Sequence, residues 1–109
     1  MKNVLSGNIG ATPFIAPRHR ILCVTKYSGY ELHRYISYIG GILKDGSRWR
    51  IREEDAIIDI ESGKYEFYVE VHLKTLHVVV AKSPDGHKYL KTTADGEKPD
   101  ALLSLPECE

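Results

Sequence analysis

Apolar runs in this chain are short, Val78-Val79-Val80-Ala81 being among the longest, so no segment has the length of a membrane-spanning helix. The start of the chain lacks the unbroken apolar stretch of a secretion signal. Val4-Leu5 is interrupted at once by Ser6, Gly7 and Asn8. The expected location is the cytoplasm. Cysteine is scarce, with Cys23 and Cys108 far apart and no C-x-x-C pair. That spacing argues for one buried small hydrophobe and one tail thiol rather than a bridge or a metal site. Catalytic signatures are missing as well: there is no G-x-S-x-G, no H-E-x-x-H and no phosphate-cradling glycine loop beyond the doublet Gly40-Gly41. Cys23 falls mid-strand and Cys108 next to the chain end, so neither is well placed as a nucleophile. The expectation is a protein that is not an enzyme and needs no cofactor. Arginine is absent from the second half, because all six lie between Arg18 and Arg52.

What is present suits one ordinary globular domain. The chain has 109 residues, 42% hydrophobic and 28% charged, enough to bury a core without staples. Formal net charge is zero, yet residues 1–52 carry +7 and residues 53–109 carry −7. Two readings stay open. The halves fold together and their charges interleave, or one basic face is left for an anionic partner.

Residues 1–17, with Gly7, Gly10, Pro13 and Pro17, read as an N-terminal extension that Phe14-Ile15 could anchor. Residues 18–109 read as a single domain. Arg20 to Tyr27 and Arg34 to Leu43 have strand composition, and the glycine doublet in the second suggests a bulge or a close backbone approach. Lys44-Asp45-Gly46-Ser47 is a hairpin turn leading into a short strand at Arg48–Ile51. Glu53 to Ser62 is the clear helix: three carboxylates open it, Ala56, Ile57 and Ile60 share a face, and Gly63 stops it. Tyr65 to His72 alternates cleanly, Leu76 to Lys82 less so. A two-residue loop at Lys74-Thr75 would set Val71 against Val78 and Val69 against Val80. Lys88 to Lys91 is a last strand, and Asp100 is placed to cap a turn of helix at Ala101–Leu103 before a clipped apolar tail that must dock on something. The order ββ(β)αβββ, linked by hairpins, predicts an α+β domain of two layers: a mainly antiparallel sheet on one central helix.

Ile39-Gly40-Gly41, Asp45-Gly46 with Trp49, Ala56-Ile57 with Ile60-Glu61-Ser62-Gly63, Phe67-Tyr68-Val69, and Lys88-Tyr89-Leu90-Lys91-Thr92 running through Asp95-Gly96 to Leu102-Leu103-Ser104-Leu105-Pro106-Glu107-Cys108 occur in a fixed order. Together they resemble, over roughly residues 20–108, a family of small bacterial and phage-associated proteins known as a domain of unknown function. The resemblance implies a compact cytoplasmic domain and supplies no catalytic residues. One position departs from it: Arg52 stands where the family's helix opens on a small hydroxyl residue, and arginine cannot accept the orphan helix N–H bonds. Either Asp55 compensates or Arg52 serves the surface.

Two constellations carry candidate chemistry. In the assumed hairpin register His72 and His77 face each other near Glu70, a weak possible metal site; the plainer reading is two exposed residues near a hairpin tip. Arg48, Trp49, Arg50 and Arg52 alternate on one strand, with three guanidiniums on one side, and Arg20 and Arg34 could extend that patch. Arg18 could extend it likewise, and the patch could grip phosphates or carboxylates, with Tyr27, Tyr30, Tyr35 and Tyr38 as a stacking surface. The plainer reading is a solvated strand face. The expected function is a non-enzymatic interaction module that binds a protein partner through this arginine and aromatic surface. Nucleic-acid binding through Arg48, Arg50 and Arg52 is the alternative, weakened by the neutral net charge. A phage-type inhibitor of a host defence complex is a narrower form of the first, and a small enzyme or metal-binding protein is the least favoured.

Overall fold

The computed structural model describes residues 16–31 and 33–109. The anchoring role considered for Phe14-Ile15, and most of the N-terminal extension, lie outside them. The elements run β1 (Arg18–Arg20), β2 (Cys23–Lys26), β3 (Ile36–Ile42), β4 (Arg48–Arg52), α1 (Glu53–Glu61), β5 (Glu66–Val71), β6 (Lys74–Lys82), β7 (Lys88–Thr92) and α2 (Asp100–Leu103). The class is the α+β expected: two mostly antiparallel sheets packed against α1, ordered β1-β5-β6-β7 and β2-β3-β4.

The strand expected over residues 20–27 is two strands, one in each sheet. At the crossing, Ile21 N–H donates to the Tyr68 carbonyl (2.8 Å) and Leu22 N–H donates to the Gly40 carbonyl (2.8 Å). The chain thus passes from β5 to β3 with the N–H group of each crossing residue paired. β1 runs parallel to β5, and the remaining ladders between strands are antiparallel. One core results, built from Ile21, Val24, Ile36 and Ile39 on one side and Phe67, Val69, Val78 and Leu90 on the other, with Ala56 and Ile57 of α1 and Leu102 of α2. Ile58, on the far side of α1, is 61% exposed.

The hairpin register differs from the expected one. The loop joining β5 to β6 is His72-Leu73, not Lys74-Thr75, so Val71 opposes Lys74 and Val69 opposes Leu76. Both loop residues take positive φ, 52° and 66°, the conformation of a tight turn matched to strand twist. The loop moves by two residues and each β5 residue's partner by four, an even number, so every side chain keeps its face. Phe67, Val69 and Val78 are therefore buried as the alternation requires.

The tail docks as expected, but by other contacts. Pro99, not Asp100, holds the position before α2 and makes no side-chain cap. Asp95 does that work from a distance: its Oδ1 accepts the Ala101 N–H (3.1 Å), while Oδ2 accepts the N–H (2.9 Å) and hydroxyl (3.0 Å) of Thr92. Beyond α2 the chain lies parallel to β2. Val24 N–H donates to the Pro106 carbonyl (3.0 Å), and Cys108 N–H donates to the Val24 carbonyl (3.1 Å). Cys23 and Cys108 are joined in a disulfide with Cα atoms 4.9 Å apart. This corrects the expectation of two free thiols. Residues 85 apart in sequence become strand neighbours, and sequence spacing holds no trace of that pairing.

Candidate functional site

β4 closes one edge of the three-stranded sheet. Its alternation sends Trp49 and Ile51 inward, half-buried, and leaves Arg48, Arg50 and Arg52 exposed on the outer face. Trp49 packs against His19 (ring centroids 5.9 Å) and Phe67 (5.8 Å), and His19 sits edge-on to Tyr65 (5.0 Å). The tryptophan thus fixes the strand from below while the arginines stand free above it.

The outer face is hollow because Arg50 has Gly40 as its cross-strand partner, and Gly40 in turn pairs with Cys23 on β2. A Cβ at Gly40 would come within 2.9 Å of the Cys23 sulfur and 3.1 Å of the Cys108 sulfur. At Gly41 it would meet the Arg20 carbonyl at 2.5 Å. Both glycines mark the close approach expected of the doublet; the ladder irregularity lies elsewhere, at Thr25/Lys26. The resulting groove has a volume of about 270 Å³. Arg48 and Arg50 form one wall, the disulfide with Glu107 and Glu109 the other, and Leu22 and Ile42 lie at its margins.

Charge pairing separates the six arginines into two sets. Arg18 meets Glu66 (3.9 Å), Arg20 meets Glu70 (4.0 Å), and Arg34 meets Glu31 and Glu54 (3.6 Å each). Three of these four carboxylates come from the acidic half, so the interleaved reading holds for this set. Arg48, Arg50 and Arg52 have no carboxylate within 4.0 Å among the described residues. Arg18, Arg20 and Arg34, which the sequence grouped with them, are thereby drawn into ion pairs. Arg34 still lies beside Arg52 around a small hollow with Ser37, Tyr38 and Glu54.

The tyrosines are placed differently from a stacking surface. Arg50 covers Tyr38 (4.0 Å to the centroid), Arg34 covers Tyr27 (4.6 Å), and Tyr35 packs edge-on to Tyr89 (5.5 Å). Of the four, Tyr30 alone is fully exposed. A guanidinium held over a ring still has N–H donors to offer a planar acceptor.

His72, His77 and Glu70 are not brought into the register on which a metal site depended. His72 is in the turn, His77 opposes Tyr68, and Glu70 opposes Thr75 and reaches toward Arg20. No three side chains of metal-ligating type converge among the described residues. Ser83, Asp85 and His87 meet in one turn, but the Ser83 hydroxyl donates to the Asp85 carboxylate and accepts the His87 backbone N–H (3.0 Å). The turn uses the serine, and the imidazole is not its partner.

Glu53 is the residue whose environment the sequence did not disclose. Three carboxylates open α1, and they look alike in the sequence; Glu54 and Asp55 are exposed. Glu53 is 3% exposed, and its Oε2 accepts the N–H of Leu90 in the edge strand β7 (3.0 Å). Burial pushes its carboxyl up to about 7, helped by the charge of Glu54 and opposed by the Leu90 hydrogen bond and Arg34. The second missed feature is the disulfide wall. Its only signal was that Cys108 ends a tail already expected to dock. Arg52 precedes α1 with extended backbone and makes no side-chain cap, so its guanidinium belongs to the surface.

The molecule so described is a small α+β domain with an arginine-walled groove at a sheet edge, and no helix among the described residues is long and apolar enough to cross a membrane. The chain belongs to the family described as "Protein of unknown function (DUF3892)", whose model matches residues 20–106. No curated protein and no solved structure matches it.

Proposed function

We propose that this domain is a non-catalytic binding module that docks a protein partner on the outer face of β4, through Arg48, Arg50 and Arg52. The observation that carries this reading is the division among the arginines: three are paired with carboxylates of the chain, while Arg48, Arg50 and Arg52 have no carboxylate within 4.0 Å among the described residues, and Arg48 and Arg50 border the groove. Unpaired guanidiniums around a concave, partly apolar surface are the composition of interface anchors. A nucleic acid is the weaker occupant. Single-stranded binders stack bases on open rings, and here Tyr27 and Tyr38 are already covered by Arg34 and Arg50.

Affinity capture with the wild-type protein and with Arg48→Glu/Arg50→Glu/Arg52→Glu, each with and without nuclease, tests it. The expected result is a stoichiometric protein retained by wild type, lost at least about tenfold from the variant, and indifferent to nuclease. Identical proteins on both baits would overturn it. Recovery that depends on nucleic acid would replace it with the second reading.

A further inference from the structure

We infer that the open edge of β4 takes an extended partner segment by strand addition, one in which acidic residues alternate with apolar or small ones. This rests on the binding-module reading above and specifies its occupant.

The hydrogen-bond phase of the β3–β4 ladder supplies the first step. Leu43 N–H donates to the Ser47 carbonyl (2.8 Å), and the register runs Ile42↔Arg48, Gly41↔Trp49, Gly40↔Arg50. In an antiparallel ladder directly opposed pairs alternate between bonded and non-bonded. With 43/47 bonded, 41/49 and 39/51 are bonded too, and 42/48 and 40/50 are not. The Gly40 carbonyl agrees, since it accepts from Leu22 on the other side. The main-chain N–H and C=O of Arg48 and Arg50 therefore point away from β3. Among the described residues no backbone partner meets them.

Side-chain parity supplies the second step. The same residues that turn their backbone outward carry the free guanidiniums, all on one face. A strand added beside β4 would set every second side chain against that face and the intervening ones on the side of Trp49 and Ile51. Carboxylates at the first positions can take bidentate guanidinium bonds, and apolar or small residues fit the second.

Charge excludes two other occupants. A second copy pairing through the same edge would set arginine against arginine. Residues 1–15 contain Lys2 and no Asp or Glu, so they do not complement the row either.

Fluorescence polarisation with a labelled peptide alternating glutamate and threonine, against the full chain, tests the inference. Binding is expected, with protection of the Arg48 and Arg50 amides from hydrogen exchange. The same peptide N-methylated at the positions facing β4 should bind at least about tenfold more weakly, since two or more main-chain bonds are lost. Arg48→Glu/Arg50→Glu should abolish binding of both, and circular dichroism would show that variant folded. Equal binding of the methylated peptide would overturn strand addition and leave the arginine-face reading standing. No binding of either peptide would overturn the inference, while the affinity capture decides the binding-module reading separately; binding of a single-stranded oligonucleotide in their place would overturn both. A dimer by sedimentation that the Arg→Glu variant abolishes would mean that a second copy, not an acidic segment, occupies the edge.

Discussion

Glu53 places a carboxyl where water scarcely reaches it and holds it there with one backbone N–H. Its pKa, raised by burial to about 7 from an ordinary 4.5, has a definite consequence for stability. Between those values the folded chain keeps a proton that the unfolded chain has released. The contribution is fully present below about pH 4.5 and lost as pH rises to about 7. Glu53→Gln keeps an oxygen for the Leu90 N–H and removes the charge. It should stabilise the protein at about pH 8 by up to about 3 kcal/mol and change little near pH 4. Urea unfolding of both proteins at the two pH values checks this; parallel pH profiles would show that Glu53 does not titrate in the window.

At the scale of elements, the β5–β6 hairpin shows what alternation can and cannot specify. The burial of Phe67, Val69 and Val78 was legible, because period-two patterning fixes faces. The loop position was not, since a register shift by any even number of residues leaves every face unchanged. Only turn chemistry breaks that degeneracy, and His72-Leu73 carries none of the usual residues for positive φ. Leu73 is fully exposed there, so nothing offsets its backbone cost. Replacing the pair with Asn-Gly should raise stability by about 1 kcal/mol or more, read as a higher urea midpoint with unchanged slope. α1 was legible almost to the residue, because its acidic start, apolar face and stop glycine agree. The crossing at Ile21-Leu22 was not, since both halves have strand composition and only the partners differ.

Over the whole molecule, the arginine row of the candidate site could be read from the sequence, and its isolation could not. Arg48, Arg50 and Arg52 alternate on any strand. That Arg20 and Arg34 are drawn off to Glu70 and Glu54 depends on tertiary neighbours. The disulfide was hidden for the same reason. It closes a loop of 85 residues, for which chain entropy gives a stabilisation of about 4.6 kcal/mol, an upper value where the unfolded chain is compact. Cys23→Ser/Cys108→Ser, or reduction, should lower the melting temperature and expose the tail after α2 to proteolysis while the core ladders stay protected. A variant with unchanged stability and an uncut tail would show that the backbone pairing with Val24 suffices alone.

The strand pair from Arg18 to Lys26 is a seam that serves both sheets, and every partner it needs comes later in the chain. Its neighbours are β3, then β5, and finally the stretch from Pro106 to Cys108. A nascent chain emerging from the ribosome can therefore pair β2 with β3 early, but presents the apolar side chains of Ile21 and Val24 before the second sheet and the tail can cover them. Closure over such separations is slow relative to local hairpins. Folding of this domain is thus set to finish where its sequence begins, with the early strands waiting for the late ones.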